Sequence, residues 1–199
     1  MSQVLHALRC VGSSGVTRVA AFTGLDEAAA ESELIDLAVA GFVTHHTGFG
    51  GWALTDAGRE ADAGNTSAEL ETAGGRDALT GPFDDFLVLN PELLDLCTAW
   101  QVRSVDGVTT ANDHTDPAYD HRVLGLFADF HERASVVIKA LAAVLPRFGR
   151  YESRLAGALT RAQTGELAFL ADDLASYHVI WAELHEDLLA TLGIQRWRG

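Results

Sequence analysis

The chain has 199 residues, enough to bury a proper core in one domain or two small ones, and its composition is that of a globular protein in water. Fourteen basic residues against 28 acidic ones give a formal net charge of −14. That field repels phosphate backbones and anionic lipid at long range and weighs against non-specific nucleic-acid binding. Cys10 and Cys97 share no CxxC spacing, which excludes a disulfide framework and fits a reducing cytoplasm.

No signal peptide is predicted, because no charged segment precedes a long apolar one at the N-terminus. Residues 37–55 contain no Asp, Glu, Lys or Arg and match a membrane span in length. Gly41, Gly48, Gly50 and Gly51, with His45 and His46, make that stretch read as strand–turn–strand, so no membrane segment is predicted.

Residues 1–63 form the first predicted domain. Val4, Leu8 and Val11 recur at helical spacing, and Gly12-Ser13-Ser14-Gly15 ends that helix. Residues 16–23 make a second helix with Val19 and Ala20 inward. Asp26 is a plausible N-cap for a third, whose stripe is Ala30, Leu34, Leu37 and Gly41. Residues 42–46 and 52–55 read as strands around a glycine-rich tip, and residues 54–60 turn into another helix.

Taken together, Val16-Thr17-Arg18-Val19-Ala20, Gly24-Leu25, Leu34, Leu37, Gly41-Phe42-Val43, Trp52, Leu54-Thr55 and Gly58-Arg59 resemble winged helix–turn–helix regulators of the MarR and GntR kind. The resemblance implies that the third helix enters the DNA major groove and the hairpin tip reaches the phosphates. The outward positions of that helix are Glu27, Ala28, Glu31, Ser32 and Ile35, none of them a common reader of guanine or adenine edges. DNA contact is therefore expected from Ser13, Thr17, Arg18, Thr47 and Arg59. The competing expectation is a winged helix kept for protein contact.

Residues 64–81 are expected to be a hinge or linker helix, since Gly64-Asn65-Thr66-Ser67 and Gly74-Gly75 bracket a polar segment and Gly81-Pro82 restarts the chain. Residues 82–199 read as an antiparallel helical bundle. Asn90-Pro91 is expected to launch a helix over 92–103, and residues 105–117 are expected to form a loop. From Asp120, the residues Val123, Phe127, Phe130, Ala134, Val137, Leu141 and Val144 alternate spacings of four and three until Pro146. A further helix covers 151–162, and a last one covers 166–192 with Leu170, Leu174, Tyr177, Trp181, Leu184 and Leu188 as its seam. The fold class is thus mainly α: a winged helix followed by a bundle. The phrases at 96–101, 112–120 and 177–188 resemble a helical region of actinobacterial proteins, some of them regulators and others linked to phosphoenolpyruvate-utilising enzymes.

Five of the eight His lie in the second half, and three Asp and two His crowd into residues 112–121. His114 and His121 with Asp113 or Asp116 suit a transition ion such as Zn²⁺, although Asp116-Pro117 and Asp120 are also ordinary turn and helix-start chemistry. His178 and His185 are two helical turns apart, so a shared ion needs a third ligand between them, and His131 has suitable placement. The candidate metal ligands are therefore His114, His121, His131, His178 and His185, for a divalent transition metal. Trp100, Arg103, His131 and Trp181 are the candidate ligand-binding residues. No P-loop, GxGxxG, GxSxG or HExxH pattern is present, so no enzyme is predicted. The leading expectation is a cytoplasmic, homodimeric regulator that binds a DNA operator and senses a small molecule or metal. An accessory protein that docks through its winged helix and an enzyme subunit with a His-lined pocket are the alternatives.

Overall fold

The computed structural model describes residues 2–46, 48, 51–105 and 107–194. Among them are eight α-helices and two small antiparallel hairpins, so the chain is mainly helical. It divides into two compact units. Residues 1–76 together with 183–199 form the first, and residues 77–182 form the second. The first unit thus takes in the end of the last helix.

In the first unit, α1 (Gln3–Val11) is capped by the Ser2 side chain, which accepts from Leu5 N–H. α2 (Val16–Thr23) ends on the left-handed Gly24, and α3 (Glu27–Val39) starts at Asp26, whose carboxylate accepts from Ala29 N–H. Val4, Leu8, Val19, Phe22, Ala30 and Leu34 are buried. Of the expected α3 stripe, Leu37 is half-buried and Gly41 is an exposed turn residue at φ 81°, which only glycine adopts without strain. β1 (Val43–His46) pairs antiparallel with β2 (Gly51–Leu54). Ser14, between α1 and α2, exchanges backbone hydrogen bonds with Trp52 of β2 and so adds a one-residue third strand.

α4 (Asp56–Thr72) is capped by Thr55, whose hydroxyl donates to the Gly41 and Phe42 carbonyls while accepting from Gly58 N–H. This helix runs through Gly64–Ser67 as far as Thr72, so of the two expectations for that segment, hinge or linker helix, a helix is found. Thr66 is buried and donates to the Asp62 carbonyl, and Leu70 is buried one turn on. The buried face continues at i+4 and overrides the weak propensity of Gly and Asn.

In the second unit, α5 (Arg76–Gln101) is one helix with both Pro82 and Pro91 inside it. The two expected restarts are therefore corrected. Each proline removes a helix N–H, but Leu79, Phe83, Phe86, Leu89, Leu93 and Leu96 form one buried stripe across both. Asn90 is not a cap; it accepts a 3.0 Å bond from Trp181 Nε1. A hairpin, β3 (Val102–Val105) and β4 (Val108–Ala111), with Val102 opposite Ala111, takes the place of the last two residues of the expected helix and the first part of the expected loop. Asp106-Gly107, a strong short-range hairpin signal, was the clue overlooked in the sequence.

α6 (Pro117–Val144) buries the expected seam from Val123 to Leu141, and Val144 is half-buried. α7 (Gly149–Gln163) buries Tyr151, Leu155, Leu159 and Ala162. α8 (Tyr177–Leu192) begins eleven residues later than expected for the last helix. Residues 167–169 form a separate 3-10 turn, and Leu174 is exposed. No helix among the described residues is long and apolar enough to cross a membrane.

Candidate functional site

The first unit holds the most concentrated polar cluster in its core. His6 and Cys10 are four apart on α1 and therefore share one face, and both are buried. α4 supplies Asp62, and the C-terminal part of α8 supplies Asp187; both carboxylates are buried as well. His6 Nδ1 donates to Asp62 at 3.1 and 3.2 Å, and Nε2 lies 3.0 Å from Asp187 Oδ1 and 3.5 Å from Cys10 Sγ. Thr191, one turn along α8, donates to the Asp187 carbonyl and to its Oδ1.

Burial is the largest influence on the His6 pKa and pulls it down. The Asp187 charge, Cys10 and the hydrogen bonds to the two carboxylates outweigh it, and the imidazolium is held well above the ordinary histidine range. Among the described residues, His6, Cys10 and Asp187 are the one set of three or more potential metal ligands with donor atoms all within 4.8 Å of one another. Nothing in the sequence analysis singled them out. The available signal was the His-x3-Cys spacing on a helix whose other buried residues are Val4, Leu5, Ala7 and Leu8.

The expected DNA contacts are distributed over the surface of the same unit. Ser13 and Arg59 line one cleft of about 180 Å³ with Leu8, Arg9, Gly12, Ala53 and Leu54. Arg9 is the cation that the sequence analysis missed. Arg59 also donates to the Leu54 carbonyl and pairs with Asp56. Thr17 is exposed. Arg18 is half-buried and pairs with the buried Glu183 at 3.1 Å. Thr47 lies outside the described residues. On α3, Glu27, Ala28, Glu31, Ser32 and Ile35 are exposed, together with Val39 at 86%.

Comparison with models of known protein families, with curated proteins and with solved structures finds no match. The assignment of function therefore rests on the chain's own residues.

The expected metal ligands of the second half do not form an ion site among the described residues; none belongs to a set like that of His6. His114 Nδ1 lies 3.1 Å from Asp120 and 3.2 Å from the Asn112 amide. Its backbone has φ 57°, alone among the described non-glycine residues in the left-handed region. Asn112 donates to the Trp100 carbonyl and to Asp120, and the Trp100 indole packs on the His114 ring at 4.6 Å. Arg103 pairs with Asp113 and Asp116. These residues are thus committed to closing β4 onto the start of α6. His121 is exposed. His131 bonds Tyr177, and Trp181 packs on Phe86 and Phe130. An open groove of about 490 Å³ lies beside Ala99, Tyr119, Arg122, Val123, Gly125, Leu126 and Asp129.

Proposed function

We propose that the chain is a cytoplasmic, homodimeric winged-helix regulator whose first unit touches DNA through its hairpin base rather than through α3. The observation that carries this reading is the order of three helices and a hairpin, with Ser14 joined to Trp52 as a short third strand. In a winged helix that strand holds the hairpin beside the helix–turn–helix. Arg9, Ser13 and Arg59 around one cleft provide two cations and a hydroxyl suited to a phosphate. Both exposed glutamates on α3 oppose deep entry into the major groove, so specificity on this reading comes from groove shape more than from base edges. The groove beside Tyr119 and Arg122 has the size of a small-molecule effector site.

A second reading, docking of a protein on α3, is favoured by Ile35 and Val39 exposed among acidic residues. Titration of labelled DNA from upstream of its own gene, at two salt concentrations, separates the two. Regulation by DNA binding gives specific binding with a shallow salt dependence, because few phosphates are neutralised. Glu27→Gln with Glu31→Gln then tightens it on all sequences. Absence of binding by both proteins at low salt overturns the DNA reading and leaves protein docking.

A further inference from the structure

We propose that His6, Cys10 and Asp187 form an inner-sphere site for one divalent transition metal ion of the Zn²⁺ or Co²⁺ type, with Asp62 orienting the imidazole from behind. The proposal stands whether or not the first unit binds DNA. It starts from distances. Metal bonds of about 2.0–2.3 Å to nitrogen, oxygen and sulfur at tetrahedral angles put ligand atoms roughly 3.3–3.6 Å apart. His6 Nε2 is already 3.5 Å from Cys10 Sγ and 3.0 Å from Asp187 Oδ1. The third pair, Cys10 and Asp187, lies within 4.8 Å, so an ion is accommodated by opening the His–Asp pair a few tenths of an ångström and drawing the thiol and carboxylate onto it.

Two further features match a built site. The second nitrogen of a metal-bound histidine nearly always donates to a carboxylate or carbonyl, which fixes the ring and its tautomer. His6 Nδ1 faces both oxygens of Asp62. Asp187 is itself oriented by the Thr191 hydroxyl at 3.2 Å. All three ligands sit on regular helices, the first two on consecutive turns of α1.

The donor set chooses the ion. One thiolate, one imidazole and one carboxylate suit borderline cations, while Mg²⁺ and Ca²⁺ prefer oxygen alone. Three protein ligands leave one position of a four-coordinate ion to water. On binding, any proton on Nε2 or Sγ is released to solvent, so that each presents a lone pair to the ion. With His6 and Asp187 at 1% and 0% exposure, the ion would sit inside the core, away from bulk solvent.

The test uses the full chain, stripped with a chelator and titrated with Co²⁺ alone. One equivalent per chain is expected, with thiolate-to-cobalt charge-transfer absorption and the strong visible bands of a tetrahedral ion. Cys10→Ser should abolish the charge-transfer band, and Cys97→Ser should leave it intact. Asp62→Asn should keep the band and weaken affinity about 10–100-fold, the usual effect of losing such a partner. Because Cys10→Ser disturbs a buried position, X-ray absorption of the Zn²⁺-loaded wild type gives an independent reading, with one sulfur at about 2.3 Å and the rest nitrogen or oxygen. No uptake of Co²⁺ by the wild type, a band lost in Cys97→Ser instead, or a zinc shell without sulfur overturns the proposal.

Discussion

His131 Nδ1 and the Tyr177 hydroxyl lie 3.1 Å apart and share a hydrogen bond that joins α6 to the start of α8. His131 is half-buried and its pKa is lowered. Burial is the main cause; Glu152 partly opposes it and Lys139 reinforces it. With the folded pKa depressed, this group's contribution to stability is complete above the unfolded value of about 6.5. It is lost as pH falls from there through the folded pKa. His131→Gln keeps an acceptor without a titrating nitrogen. Urea midpoints of wild type and variant should converge as the pH falls through that window, relative to their separation at pH 7.5. A constant separation would show that His131 titrates normally.

Gly58 is expected to tolerate no side chain. A Cβ there would lie 2.0 Å from the Phe42 carbonyl oxygen, a backbone atom. Gly58→Ala should destabilise the first unit by about 3 kcal/mol or more, at the upper end of overpacking costs. Gly64, exposed in the same helix, has open space around its Cβ position. Gly64→Ala should stabilise by about 0.5–1 kcal/mol, the helix-propensity difference. Thermal melts of the two variants check both signs at once.

The first unit was the more legible part of the sequence because its glycines and caps punctuate short elements. Gly12, Gly24, Asp26 and Thr55 sit where the helices begin or end. In α5 the punctuation was misleading. Pro82 and Pro91 look like helix starts, and only the buried stripe running through both shows that packing outweighs two lost hydrogen bonds. At residues 112–121 the chemistry was noticed but its role was not, since Asn112 and Asp120 spend their polar atoms on Trp100 and His114. The His6 cluster was invisible for a different reason. Its members come from three helices, and only the pairing of His6 with Cys10 is local.

Cys97 is expected to be chemically quiet. Burial, helped by the nearby Asp172 charge, pushes its thiol up to about 12. The thiolate that would attack an alkylating reagent is therefore scarce at pH 8. Mass spectrometry after brief iodoacetamide exposure should find Cys97 unmodified in the native chain and modified in urea. Rapid native labelling would mean that α5 opens readily around it.

Asn112 should matter more than the neighbouring histidines. Its amide joins the Trp100 carbonyl to the buried Asp120 at 3.0 and 2.9 Å. Asn112→Ala strips a donor from both acceptors and should cost about 1–3 kcal/mol. His121→Ala, at an exposed position, should change stability by no more than about 0.5 kcal/mol. Paired denaturant titrations give the comparison, and equal losses would point to a role for His121 that its surroundings do not suggest.

The 181 residues between His6 and Asp187 also set a clock. At about 5–20 residues per second on the ribosome, roughly 10–35 s separate synthesis of the two. During that interval α1, α2 and the hairpin have emerged, but the stretch from Glu183 that completes their unit has not been made. The first unit therefore cannot finish folding as it leaves the ribosome, although nearly all of it is made first. Emergence of the stretch from Glu183, rather than emergence of the hairpin, is the event that closes this core.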